Sequence, residues 1–154
     1  MSEKEIIQNE MPEMSVPSTP GSPDPFLVFL VNQIEAMDGE MPIMLWVQGG
    51  VVSGELISHR RYMVRTFNSL KHMRHLSPAR GHAVLDGLID AFESYEADHP
   101  EHAASAGTEV VPQYLQLQNA VLSIGGSTQS LDSAWRVRLD AINAWMLGAA
   151  TNGT

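Results

Sequence analysis

The chain has 154 residues, of which 44% are apolar, so it can form one domain with a hydrophobic core. It contains no cysteine, which excludes disulfides and thiolate metal sites, and its net charge of −9 disfavours strong nonspecific binding to nucleic acid. The N-terminus lacks the apolar core of a signal peptide and no apolar run approaches the length of a membrane span, so we expect a cytoplasmic protein without a membrane segment.

Residues 1–25 differ in composition from the rest of the chain. They hold five of the nine prolines, with Ser, Thr, Gly and Glu between them. Such a segment cannot bury enough apolar area to offset the entropy of ordering it. The sequence therefore predicts a disordered, acidic, proline-rich tail at 1–25 and a single domain at 26–150.

The domain begins with a predicted amphipathic helix from Pro25 to Asp38. Asp24 supplies an N-cap and Pro25 the first helical residue, while Gly39 ends the helix. The apolar positions recur at helical spacing and predict one buried stripe: Phe26, Leu27, Leu30, Ile34 and Met37.

A β-hairpin follows, with predicted strands at 43–48 and 51–58. Apolar and polar residues alternate along the first strand, and Gly49-Gly50 can adopt the positive φ angles of a tight turn. Gly54 interrupts the second strand. A glycine inside a strand marks a bend, a bulge or a close backbone approach.

A helical insertion is predicted at about 61–97. Its first helix covers 61–76, and Ser77-Pro78 predicts the N-cap of a second helix that ends near Glu96. The apolar face of that second helix comprises Val84, Leu85, Leu88, Ile89, Phe92 and Tyr95. The polar stretch at about 98–110 predicts a mobile loop.

The C-terminal part returns to strands. We predict a strand at 114–124 with a turn or bulge at Asn119, then a loop from Gly125-Gly126 to the residues before Ala134. Alternation of Trp135, Val137 and Leu139 with charged residues predicts a half-buried strand at 134–147, broken near Asn143.

The order of elements predicts an α+β fold: a small, strongly bent antiparallel sheet, or an Sm-like barrel, with an N-terminal helix and a helical insertion. Three features follow one another along the chain in an order that resembles that of Sm-like barrels. These are the strand glycine Gly54, the strand that carries Leu115, Leu117 and Asn119, and a basic residue before the final strand, at Arg136 or Arg138.

Three blocks of this sequence also occur in order in a more specific family. IMLWVQGGVVSGELIS with the Arg61-Tyr62-Met63 that follows it, YLQLQNAVLSIGG, and WRVRLDAINAWMLG are similar to the gas vesicle accessory protein U family, GvpU-like. The resemblance implies a non-enzymatic accessory protein in cells that make gas vesicles. It also implies that the partners are the vesicle shell or other gas vesicle proteins, and that the role is assembly or clustering.

Positive charge is concentrated in the segment 59–82, which carries six Lys or Arg residues and no acidic residue. The rest of the chain then carries −15, since −9 less +6 is −15. One interpretation is a basic face for an anionic partner; the other is a solvated helix face that balances the acidic tail. If the face binds a partner, the expected contacts are Arg60, Arg61, Arg65, Lys71 and Arg74.

Motifs for catalysis or metal binding are weak. His72 and His75, and again His99 and His102, have helical spacing, but neither pair has a third ligand nearby in the sequence. Asp86 and Asp90 fit the solvent side of their helix, Ser53 lacks a nucleophile elbow, and no lysine follows either Gly-Gly pair. We therefore expect no catalytic residue, no metal and no cofactor.

Two classes of function remain. The first is an accessory protein of gas vesicles that acts by protein–protein interaction as a homo-oligomer, with Trp135 and Trp145 near the interface between copies. The alternative is an Sm-like nucleic-acid-binding oligomer that uses the basic segment 59–82. The negative charge of the rest of the chain makes nucleic acid the less expected partner.

Overall fold

A computed structural model describes residues 21–76, 81–98 and 111–148. The predicted tail outside 21–25, the Ser77-Pro78 cap and the loop at 99–110 lie outside these residues. The described elements confirm the α+β prediction: α1 Pro25–Met37, β1 Glu40–Val47, β2 Gly50–Ile57, α2 His59–Leu76, α3 His82–Asp98, β3 Tyr114–Ile124, β4 Ser127–Leu131, β5 Trp135–Arg138 and β6 Ile142–Leu147. None of the described helices is long and apolar enough to span a membrane.

The six strands form one antiparallel sheet in the order β4-β3-β2-β1-β6, and β5 pairs with the first half of β3. The predicted bent antiparallel sheet is therefore present. Among the described strands no ladder joins β5 to β6, so the sheet stays open and does not close into the Sm-like barrel that was the other form of the prediction.

The sheet must nevertheless curl, because its two outermost partners are close neighbours in the chain. In a flat sheet β5 and β6 would lie about 19 Å apart, four strand spacings. Only three residues lie between Arg138 and Ile142, so the two Cα atoms are at most about 14 Å apart. A short 3₁₀ turn, Leu139–Ala141, makes this link. Its Leu139 N–H donates to the Gln113 carbonyl at 3.0 Å, and its side chain is buried inside the curl.

Gly54 and Asn119 together bend the centre of the sheet. The β2–β3 register shifts between Ser53 and Glu55, and Asn119 adopts φ +50° at the bulge. A Cβ on Gly54 would lie 3.0 Å from the Gln118 carbonyl oxygen and 3.2 Å from the Ala120 Cα. Both sequence predictions at this site, a close backbone approach at Gly54 and a bulge at Asn119, are confirmed.

Helix α1 fills the inner face of the curled sheet. The Asp24 carboxylate accepts the Phe26 and Leu27 N–H groups at 2.8 and 3.2 Å, as the predicted cap requires. The core cluster joins α1 to the inner strand residues: Leu27, Leu30, Val31, Ile34, Ile43, Leu45, Val52, Leu56, Leu115, Leu117, Ala120 and Leu139.

The predicted stripe of α1 was wrong at both ends. Phe26 is 37% exposed and Met37 is 69% exposed, whereas Val31 is buried in their place. A spacing of i, i+3, i+4 and i+7 from Leu27 selects Val31 at i+4. The helix also ends one residue earlier than predicted, because Asp38 takes the left-handed conformation of the C-cap.

Three predictions about turns and strands were also wrong in detail. The first hairpin turns at Gln48-Gly49, and Gly50 already pairs with Val47. The predicted loop after Gly125-Gly126 contains β4, because the two glycines, at φ +55° and +83°, form a tight hairpin turn. The predicted strand 134–147 is two strands, and the break is the 3₁₀ turn at Leu139–Ala141 rather than Asn143.

We predict that Gly54→Ala lowers the free energy of unfolding by about 1–3 kcal/mol, the usual range for overpacking, because the new Cβ would meet backbone atoms that cannot move aside. Gly87→Ala is the matched control. Its Cβ would meet nothing within 4 Å, and alanine favours a helix over glycine. Chemical denaturation of both variants measures the difference. If Gly54→Ala were as stable as the wild type, the close backbone approach would not require glycine at position 54.

Candidate partner-binding surface

Helix α2 begins at a buried serine that joins it to the sheet. The Ser58 hydroxyl oxygen accepts the Arg61 N–H at 3.2 Å, and the Ser58 carbonyl accepts the Tyr62 N–H at 3.0 Å. The same hydroxyl donates to the Asp38 carboxylate at 2.5 Å. Ser58 therefore caps the helix and fixes its first turn to the end of α1.

Acidic groups surround this N-terminus, although α2 itself contains none. Glu35 accepts the His59 N–H at 2.7 Å, and Asp38 lies 3.4 Å from the Arg61 Nε. Negative charge near the positive end of a helix dipole is stabilising. The Ser58 hydrogen bond, with the charge of Arg61 and Arg60, lowers the pKa of Asp38, whereas burial raises the pKa of Glu35.

A polar network lies on the outer face of the sheet beside α2. The buried Gln118 amide donates to Glu40 at 3.2 Å and to Glu55 at 2.8 Å, and Asn119 donates to the same Glu55 oxygen at 2.9 Å. These contacts satisfy the amide N–H groups that burial would otherwise leave unpaired. The alternation of leucine with glutamine in β3 is the sequence signal for these buried amides, although by itself the pattern predicts only a strand.

An arginine between two tyrosines joins α2 to the same face. The Arg136 guanidinium lies 4.4 Å from the ring centre of Tyr114 and 5.6 Å from that of Tyr62. Cation–π contacts of this kind stabilise by about 0.5–1 kcal/mol at exposed sites. Arg136, which the sequence marked only as a basic residue of a strand, therefore helps to position α2.

The five predicted contact residues of α2 divide into two groups. Arg61 and Arg74 are engaged within the protein: Arg61 pairs with Glu40 at 2.9 Å, and Arg74 forms a bidentate contact with Asp86 of α3. That contact lowers the pKa of Asp86 and raises that of Arg74.

The other three basic side chains are available to a partner. Arg60 is 62% exposed and lies 3.8 Å from Asp38, a distance at the limit of an ion pair. The Lys71 ammonium lies 4.1 Å above the Phe67 ring. No carboxylate of the described residues forms an ion pair with Arg65.

Arg65 borders an open groove of about 770 Å³ between α2 and the β4–β5 connection. Asn68, His72 and Met73 line it on the helix side, and Leu131, Asp132 and Trp135 line it on the sheet side. The structure thus brings Trp135 close to the basic helix. It places Trp145 elsewhere, half-buried against α1, where its ring stacks on Phe26 with centroids 5.5 Å apart.

The weak metal and catalytic candidates do not converge among the described residues. No group of three possible metal ligands occurs in 21–76, 81–98 and 111–148. His72 and His75 are exposed on α2, and His99 and His102 lie outside the described residues. Asp90 is exposed, Ser53 lies within β2, and Asp86 is paired with Arg74. The expectation that this protein has no catalytic residue stays a prediction.

We predict that Asp38→Asn destabilises the protein at pH 7 and that the difference from the wild type shrinks in acid. The folded-state pKa of Asp38 is lowered, so its contribution is complete above the unfolded aspartate value of about 3.9. It is lost as the pH falls through the lower folded value. Urea denaturation between pH 7 and pH 2.5 measures both stabilities. A difference that stays constant over this range would show that the charge of Asp38 does not stabilise the fold.

Comparison with known proteins matches most of the chain to one family. The family model described as gas vesicle protein GvpU-like covers residues 24–150, from the N-cap of α1 to just beyond β6. No curated protein and no solved structure matches the chain. The matched region contains every described helix and strand, including the curled sheet and the basic helix α2. The chain is therefore a member of the GvpU-like family of gas vesicle proteins.

Proposed function

We propose that this protein is a non-enzymatic accessory protein that promotes the assembly or clustering of gas vesicles in the cytoplasm by protein–protein contacts. Its partners are the vesicle shell or other gas vesicle proteins, and it acts as a homo-oligomer. Membership of the GvpU-like family supports the association with gas vesicles. The mode of action rests on the surface of α2.

One observation carries the proposal: α2 presents positive charge on an exposed surface that the carboxylates of the described residues neutralise only in part. The helix has no acidic residue along its 18 residues. At 100° per residue, Arg60, Arg65 and Lys71 fall on the same half of its circumference. A partner with an acidic surface would meet these three cations without first breaking a strong internal ion pair.

Arg61 and Arg74 have a different part in this proposal. Their carboxylate partners hold α2 against the end of α1, the start of β1 and α3, so they fix the orientation of the surface. Trp135 adds an apolar contact in the groove beside Arg65. Trp145, on β6, shapes the sheet edge where we expect copies of the chain to meet.

The shifted pKa values support a structural use of the ionisable groups. Glu35 and Asp38 bind the first turn of α2, and Asp86 binds Arg74. Each shift therefore arises at a junction between elements rather than in a cleft that converges on a substrate. Such junctions favour a binding protein over an enzyme.

We predict that Arg65→Glu weakens clustering of purified vesicles roughly tenfold, equivalent to about 1.4 kcal/mol. The variant should keep its melting temperature, because no carboxylate of the described residues pairs with Arg65. Arg138→Glu is the charge control: it makes the same change of charge on an exposed side chain of β5, and it also removes the ion pair of Arg138 with Asp140. Turbidity of a vesicle suspension against protein concentration gives the midpoint for each.

Equal midpoints for the wild type and Arg65→Glu would exclude α2 from the contact. Added salt should shift the wild-type midpoint upward, because the contact is between exposed charges. The nucleic-acid alternative makes a different forecast. It requires RNA binding at low salt that Arg65→Glu abolishes, with vesicle clustering unchanged.

A further inference from the structure

Three stretches of the chain without a single charged residue meet at one end of the sheet. They are 43–54, 119–131 and 142–148. The strand registers bring them together: Trp46 pairs with Val51 on one side and with Ala144 on the other, and Val52 pairs with Leu122. We call this region the uncharged end. It lies at the opposite end of the strands from Glu40, Glu55 and the capped start of α2.

Large apolar side chains are exposed at the uncharged end. Trp46 is 36% exposed, and Met146 is 49% exposed. They lie on the outer face of the sheet with Met44, which pairs with Met146 across β1 and β6. Ile124 adds exposed apolar area at the tip of β3. Helix α2 covers the other half of this outer face, near Gln118.

Such a surface has the composition of a protein interface. Soluble domains carry charges on about 25–35% of their surface residues. The cores of interfaces are depleted of charge and enriched in aromatic residues and methionine. The edge strands β4 and β6 also lack the lysine or proline that protects an open sheet edge from pairing. The uncharged end therefore has the chemistry of a contact with another protein.

We propose that the occupant of the uncharged end is the uncharged end of a second copy of this chain. The chain carries −15 outside the basic segment 59–82, so two copies repel each other where their acidic surfaces approach. Contact through the uncharged ends keeps the charged elements of the two copies farthest apart. It also covers Trp46 and Met146 with the same apolar groups of the partner, as a symmetric dimer requires.

The contact is small, which sets its strength. Even laid flat, the five strands at this end would span only about 19 Å. Interfaces at the low end of the size range are weak or transient. The dimer therefore forms in a monomer–dimer equilibrium at micromolar concentration.

The proposed dimer indicates how one molecule would contact two vesicles. Apposition of the uncharged ends leaves the α2 surface of each copy exposed, away from the contact. One dimer then presents Arg60, Arg65 and Lys71 twice and can bridge two vesicles, with the gain in avidity that two linked sites give. This consequence rests on the proposed function, whereas the dimer itself does not.

Sedimentation equilibrium of the full chain between about 1 and 200 μM tests the dimer at the concentrations expected for so small a contact. The wild type should rise from the mass of one chain toward the mass of two. Trp46→Glu and, independently, Met146→Glu should keep the mass of one chain throughout, because each places a like charge against its symmetry mate. Val84→Glu on α3 is the matched control: it makes the same change at an apolar side chain that is 67% exposed, and should dimerise like the wild type. Thermal melting checks that all three fold.

Several results would overturn the proposal. One is a wild type that keeps the mass of one chain over the whole range, and another is a dimer that survives both substitutions. A third is loss of the dimer in Val84→Glu alone, which would place the contact on the α2–α3 hairpin. A monomeric wild type whose vesicle binding is lost in Trp46→Glu would identify the shell as the occupant instead. Arg65→Glu separates the two proposals. It should dimerise normally while its vesicle clustering falls. The proposal of the dimer can therefore be refuted while the proposal of the basic surface stands, and the basic surface can be refuted while the dimer stands.

Discussion

A link of three residues sets the shape of this protein. Leu139–Ala141 joins β5, on one side of the sheet, to β6, on the other, and it is too short to cross a flat sheet. The sheet can satisfy both pairings only by curling. Gly54 and Asn119 supply the bend, since one lacks a Cβ where backbones meet and the other accepts a positive φ. The curl makes the pocket that α1 fills with Leu27, Leu30, Val31 and Ile34.

The curl also divides the outer face into two regions of different chemistry. Beside α2, the buried Gln118 is paired with Glu40 and Glu55, and Arg136 is held between two tyrosine rings. At the far end the strands carry no charge and expose tryptophan and methionine. The charged side chains of the strands are thus concentrated at the end beside α2. The protein is polarised along its strands, and the two proposed contacts use opposite ends.

The sequence reveals those parts of the fold that have local causes. The α1 cap, the strand glycine and the bulge each follow from residues that are neighbours in the chain. Strand β4 was missed because an edge strand exposed on both faces has no apolar alternation to detect. The 3₁₀ break was missed because Leu139 continues the alternation of Trp135 and Val137. Likewise the excess charge of α2 is visible in the sequence, but the ion pairs that Arg61 and Arg74 form are not. Their partners, Glu40 and Asp86, are brought close only by the fold.

The pairing of β1 with β6 has a consequence for the order of folding. Ile43 pairs with Leu147, 104 positions later in the chain. Contacts over such distances form slowly, because a long loop must close before they stabilise anything. On the ribosome, the edge of β1 stays unpaired until β6 has been made, and Trp145 is not yet present to cover Phe26. The final strand thus completes both the sheet and the core, and a nascent chain without it presents an open apolar edge to its neighbours.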